Sequence, residues 1–124
     1  VKSPRPVNLN LLQIRFPVPA IASILHRASG VLLLLLLPFL LWMLQGSLAS
    51  DASFMSLHDS LQQPVCKFVF WILLSGLLYH VLAGLRHLIM DMGIGESLRA
   101  GRATAWSTIV LGVVGSVLLG VWLW

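Results

Sequence analysis

The 124-residue chain is long enough for one small domain, and 58% of its residues are apolar while only 10% are charged. A soluble domain carries about 25% charged residues, so this chain lacks the polar surface to cover itself in water. Its mean hydropathy of +0.93 agrees, which excludes a soluble enzyme, a disordered tail and a coiled-coil rod, and leaves an integral membrane protein. The net charge of +4 then reads as a topology signal rather than as affinity for nucleic acid, and no nucleic-acid partner is expected. A single cysteine, Cys66, excludes a disulfide framework and any cysteine-ligated cluster or zinc site within the chain.

The first 21 residues, rich in proline and basic side chains (Arg5, Pro6, Arg15, Pro17, Pro19), predict an irregular arm along one membrane face. The chain opens on valine, so a few residues are expected before it. The first apolar stretch starts late and has no small-residue cleavage site, so no cleavable signal peptide is expected. Residues 22–124 predict an all-α anchor domain of three transmembrane helices. Charges are absent between Arg27 and Asp51, between Lys67 and Arg86, and after Arg102, gaps of 23, 18 and 22 residues, against the roughly 20 that a helix needs to cross hydrocarbon. The predicted helices run over about 22–48, 65–92 and 103–124, with Pro38 placed to kink the first. Residues 49–64 form the first connection. Seven of the eight basic residues precede or open the first span or surround the second connection, which predicts a cytoplasmic N-terminus and a periplasmic C-terminus. Trp122 and Trp124 would then lie in the outer aromatic belt.

Ionisable residues inside a span are costly and point to function. In the second span His80, Gly84, His87 and Asp91 share one face at i, i+4, i+7 and i+11, and Gly76 lies one turn from His80 on the same stripe. Glycines beside an imidazole leave a flat slot, which suits haem iron as the partner of His80. The same stripe is also compatible with a histidine bonded to a neighbouring helix, the glycines merely allowing close packing. In the first span Ser23, His26, Arg27 and Gly30 share a face, where hydroxyl, imidazole and guanidinium together suit an anion or a polarised carbonyl. Arg27 read alone is equally an interface arginine whose head reaches water. The third span carries no ionisable group, and its stripe of Gly112, Ser116 and Gly120 predicts tight helix packing.

Depth gives one further expectation. His26 lies about four residues into its predicted span, roughly 6 Å, and His80 about ten residues in, roughly 15 Å at 1.5 Å per residue. Two axial ligands need similar depth, the third helix has no histidine, and His58 falls in the outer connection. A haem with two axial histidines on His80 would therefore take its other ligand from a second polypeptide.

The runs Ser-Ile-Leu-His-Arg-Ala-Ser-Gly at 23–30 and His-Val-Leu-Ala-Gly-Leu-Arg-His-Leu-Ile-Met-Asp at 80–91 resemble the cytochrome b556 membrane-anchor subunits of succinate dehydrogenase. Arg5-Pro6-Val7-Asn8-Leu9 and Ile14-Arg15-Phe16-Pro17 look like the bacterial form of the arm of that family. The Ser-Pro-His run of mitochondrial relatives is absent, which favours a bacterial cytoplasmic membrane. The resemblance implies a succinate:quinone oxidoreductase in which a flavoprotein oxidises succinate and an iron–sulfur subunit passes electrons on. Two membrane anchors would hold haem b and ubiquinone. It further implies that His80 is an axial haem ligand, with the second axial histidine on the other anchor. Ser23, Ile24 and Arg27 would border the quinone. His26, Arg27, Gly84 and His87 would lie by the haem and its propionates. The alternatives are a fumarate reductase anchor and a small transporter subunit without redox chemistry.

Overall fold

The computed structural model describes Asn10 and residues 13–124. The arm motif at 5–9 lies outside the described residues. Each charge-free gap becomes a long helix: α1 (Val18–Ala49), α3 (Pro64–Asp91) and α4 (Leu98–Leu123), of 32, 28 and 26 residues. All three are long and apolar enough to cross a membrane. Between the first two lies α2 (Asp51–Leu61), a short helix where the sequence predicts only a connection.

The helix ends have local causes. α1 starts at Val18, four residues earlier than expected, because Pro19 falls in its first turn, where no intrahelical N–H donor is needed. It runs through Pro38 and stops at Ser50, whose backbone is extended. Ser50 and Ser53 then form a reciprocal cap: each hydroxyl accepts from the backbone N–H of the other, at 3.1 Å in both cases, and this starts α2. Pro64 opens α3. Gly93 and Gly95, at φ 79° and 78°, turn the chain into α4. The Ser97 hydroxyl caps that helix by accepting from Ala100 N–H.

The bundle is held by small residues and by a few polar ties from α3, which packs on both α1 and α4. Gly112, Gly115 and Gly120 of α4 receive Tyr79, Leu78 and Trp71 of α3; a Cβ at Gly112 would lie 2.7 Å from the Tyr79 ring. Trp71 Nε1 donates to the Ser116 carbonyl at 2.7 Å. The small stripe of α4 packs tightly, as its spacing predicts, and α3 is the helix that it seats. Arg86 is 7% exposed; its Nε donates to Thr104 Oγ1 and its Nη2 to the Gly101 carbonyl, both at 3.1 Å, which ties α3 to the first turns of α4. In the sequence Arg86 counts only as a topology signal. Among the described residues no large side chain is fully buried, and leucines such as Leu34, Leu35 and Leu41 stand exposed along α1. Such a surface belongs against lipid or protein, not water.

The two ends of the bundle differ in charge. One, the basic end, gathers Arg15, Arg27, Arg86, Arg99 and Arg102 with Asp91 and Glu96; the other carries Asp51, Asp59 and Lys67.

Candidate functional site

Three imidazoles meet toward the basic end. The His26 ring of α1 stacks on the His80 ring of α3, with centroids 4.2 Å apart and planes 18° from parallel. His87, two turns further along α3, meets His26 edge-on at 5.1 Å. The stripe of α3 and the face of α1 singled out in the sequence therefore pack against each other.

This overturns the expected difference in depth. With α1 starting at Val18, His26 stands eight residues from its helix start, about 12 Å at 1.5 Å per residue. His80 stands eleven residues from Asp91, the end of α3, about 16 Å on the same rise. Depth no longer separates the two rings. Contact, not depth, would keep the two rings from ligating one haem iron. Apolar atoms meet at about 3.5–4.0 Å, so two rings 4.2 Å apart leave no layer for a macrocycle between them.

His80 is anchored through one nitrogen. Its Nδ1 lies 3.1 Å from Ser29 Oγ and 3.2 Å from the His26 carbonyl, and Ser29 Oγ itself donates to that carbonyl at 2.8 Å. Its Nε2 makes no hydrogen bond among the described residues. Gly30 provides the space: a Cβ there would lie 3.1 Å from His80 Cε1. Gly84 has a different neighbour from the one its spacing suggests, since its Cβ would meet His26 Nε2 at 3.5 Å rather than His80. Tyr79 donates its phenol proton to the Ala22 carbonyl at 3.0 Å and so fixes the register of α1 on α3 next to Ser23.

Ser23 is half-buried, while Ile24 and Arg27 are exposed. Arg27 makes no hydrogen bond or ion pair among the described residues. These three stand on α1 one turn or less from the imidazole cluster, on a surface this chain leaves open. Asp91 is exposed and lies outside the cluster. Sequence reasoning passed over Ser29. Its spacing of three residues from His26 was the available signal, because a helical serine at that distance reaches the histidine's carbonyl.

Three helices long and apolar enough to span a membrane, with three half-buried imidazoles gathered between α1 and α3, define a class, the small multi-span membrane subunits. The sequence profile of the succinate dehydrogenase/fumarate reductase transmembrane subunit family matches residues 1–119, and the chain belongs to that family. It is 45% identical over 121 residues to a succinate dehydrogenase cytochrome b556 subunit of Coxiella burnetii, covering 97% of each chain. It is 32% identical over 118 residues to the corresponding subunit of Paracoccus denitrificans, covering 92% of this chain and 88% of the relative. A cytochrome b560 subunit of Reclinomonas americana is 33% identical over 126 residues, with 96% and 85% covered.

Proposed function

We propose that this chain is the cytochrome b556 anchor subunit of a bacterial succinate dehydrogenase, multi-pass in the cytoplasmic membrane with its basic end inward. Together with a second anchor it holds haem b and builds the ubiquinone site. The flavoprotein and iron–sulfur subunits supply electrons from succinate. The observation that carries this is His80: a half-buried imidazole inside a span, with one nitrogen engaged by a hydroxyl and a carbonyl and the other open among the described residues.

The residues present fit a haem. A neutral imidazole whose far nitrogen is tied to a carbonyl is the usual state of a metal-binding histidine. Gly30 and Gly84 leave the ring edges uncrowded. His26 and His87 stand beside His80, where their ring N–H groups would donate hydrogen bonds to propionates that are otherwise costly this near to hydrocarbon. When bound, the haem supplies one-electron storage at the membrane. Because His26 is stacked on His80, a second histidine for the haem would have to be supplied by the partner anchor.

At the quinone, reduction takes up two electrons and two protons, and negative charge builds on the ring oxygens. The unpaired Arg27 guanidinium and the Ser23 hydroxyl stabilise that charge and orient the ring, and Ile24 offers an apolar edge. Protons enter from the nearby aqueous face. The direction, succinate oxidation or fumarate reduction, follows from cofactor potentials. The test is a reduced-minus-oxidised visible spectrum of the purified complex. A low-spin b-type haem is expected, and its absence would reduce the subunit to a structural anchor.

A further inference from the structure

We infer that Ser29 is a positioning residue for the axial histidine: its hydroxyl holds His80 with hydrogen on Nδ1 and a lone pair on Nε2, and so tunes the redox balance of the iron. The inference rests on the haem assignment proposed above.

The hydrogen positions follow from three contacts. Ser29 Oγ has one proton, and the 2.8 Å contact to the His26 carbonyl takes it. Toward His80 the same oxygen then presents only lone pairs, 3.1 Å from Nδ1. The second group facing Nδ1 is the His26 carbonyl oxygen at 3.2 Å, also an acceptor. If Nδ1 carried a lone pair, it would face a carbonyl lone pair at that distance. With hydrogen on Nδ1, both contacts are satisfied by one shared donor, and Nε2 of the neutral ring is left as the iron-binding atom. Ser29 is 7% exposed, so no water competes for its oxygen. Hydrogen bonds accepted from Nδ1–H push electron density onto the ring and make Nε2 a stronger donor. A stronger donor favours the oxidised iron.

The experiment is a potentiometric titration of the haem, with its low-spin paramagnetic spectrum, in the intact purified complex. Ser29→Ala removes one of two acceptors. The haem should become easier to reduce, with a two- to tenfold change in the reduced-to-oxidised ratio at fixed ambient potential; tenfold is about 59 mV for one electron. Ser29→Thr keeps a hydroxyl that can still bond the carbonyl one turn back, and it should return the wild-type potential. If Ser29→Ala fails to assemble, Ser29→Cys carries the same test, since a thiol is close in size and a weak acceptor. A fully haem-loaded alanine or cysteine variant with the wild-type potential would overturn the role of Ser29 alone. So would equal shifts in the alanine and threonine variants, because a packing change then explains both. A wild-type complex with no haem b would overturn the assignment of haem and the role of Ser29 together.

Discussion

The two ends of this bundle are built from the same helices but do different work. Toward the basic end α1 and α3 meet through imidazoles, a serine, a glycine and a tyrosine, all within hydrogen-bond or stacking distance. At the far end α1, α2 and α3 surround a cavity of about 580 Å³ lined by Phe39, Trp42, Met43 and Cys66 with a few serines. Its one imidazole, His58, is exposed and reaches only the neighbouring Asp59, at 3.6 Å. A membrane protein places its polar groups where they act, because each one inside a span costs free energy. The asymmetry therefore predicts that substitutions at the basic end alter the proposed cofactor and quinone chemistry, while those at the far end alter only helix stability.

The largest expected effect is at His80. His80→Leu should abolish the low-spin haem spectrum while the anchor still inserts, as judged by the amount of complex in membranes. His26→Leu should keep iron ligation, because His26 lies against the ring face and not at Nε2. A variant His80→Leu with an unchanged spectrum would break the assignment of the basic end.

Next come Arg27 and Ser23. In the proposed quinone site Arg27→Leu removes the charge that would stabilise the developing quinol oxygens, so a loss of about 2–4 kcal/mol of transition-state stabilisation is expected. On the same proposal Ser23→Ala would remove one hydrogen bond to a neutral quinone carbonyl, worth about 0.5–1.5 kcal/mol. The measurement is the ratio of quinone reduction to dye reduction, since a dye takes electrons upstream of the membrane. If Arg27→Leu keeps the wild-type ratio, the guanidinium is only an interface anchor and the quinone binds elsewhere.

These effects show which features were legible in the sequence. The spans were, because charge-free runs of this length have few other uses. Tight packing of α4 was also legible as a small-residue stripe, though its partner helix, α3, was not. α2 was not: Ser50 and Ser53 look like loop residues until their reciprocal cap is seen. Nor was the stacking of His26 on His80. Pro19 suggested a late start for α1, and a shift of four residues is about 6 Å of depth. Ser29 and the Arg86 clamp depend on what a neighbouring helix brings, which periodicity within one helix does not contain.

Glycines sharpen the comparison at smaller scale. Gly30→Ala would place a methyl group 3.1 Å from His80 Cε1, tight enough to move the ring by a few tenths of an ångström. A shifted haem spectrum with normal assembly is expected. Gly84→Ala meets His26 at 3.5 Å, an ordinary contact, and should leave the spectrum nearly unchanged. Equal effects from the two would mean that Gly30 does not seat the axial ring.

The smallest effects belong to the far end. A Cβ at Gly46 meets nothing within 4 Å, and alanine is a better helix former than glycine by about 0.8–1.0 kcal/mol in water. Gly46→Ala should therefore be neutral or slightly stabilising. Ser50→Ala is its counterpart in the opposite direction, since it removes half of the reciprocal cap that starts α2. Loss of an N-cap serine costs about 1 kcal/mol, which should lower the thermal midpoint of the detergent-solubilised complex slightly. Neither substitution should change the haem potential or the quinone-to-dye ratio, because Gly46 and α2 lie at the opposite end of the bundle from the clustered His26, His80 and His87. The discriminating measurement is the haem potential in Ser50→Ala. If it moves as far as in Ser29→Ala, the two ends are coupled through α1, and the division between a chemical end and a supporting end fails.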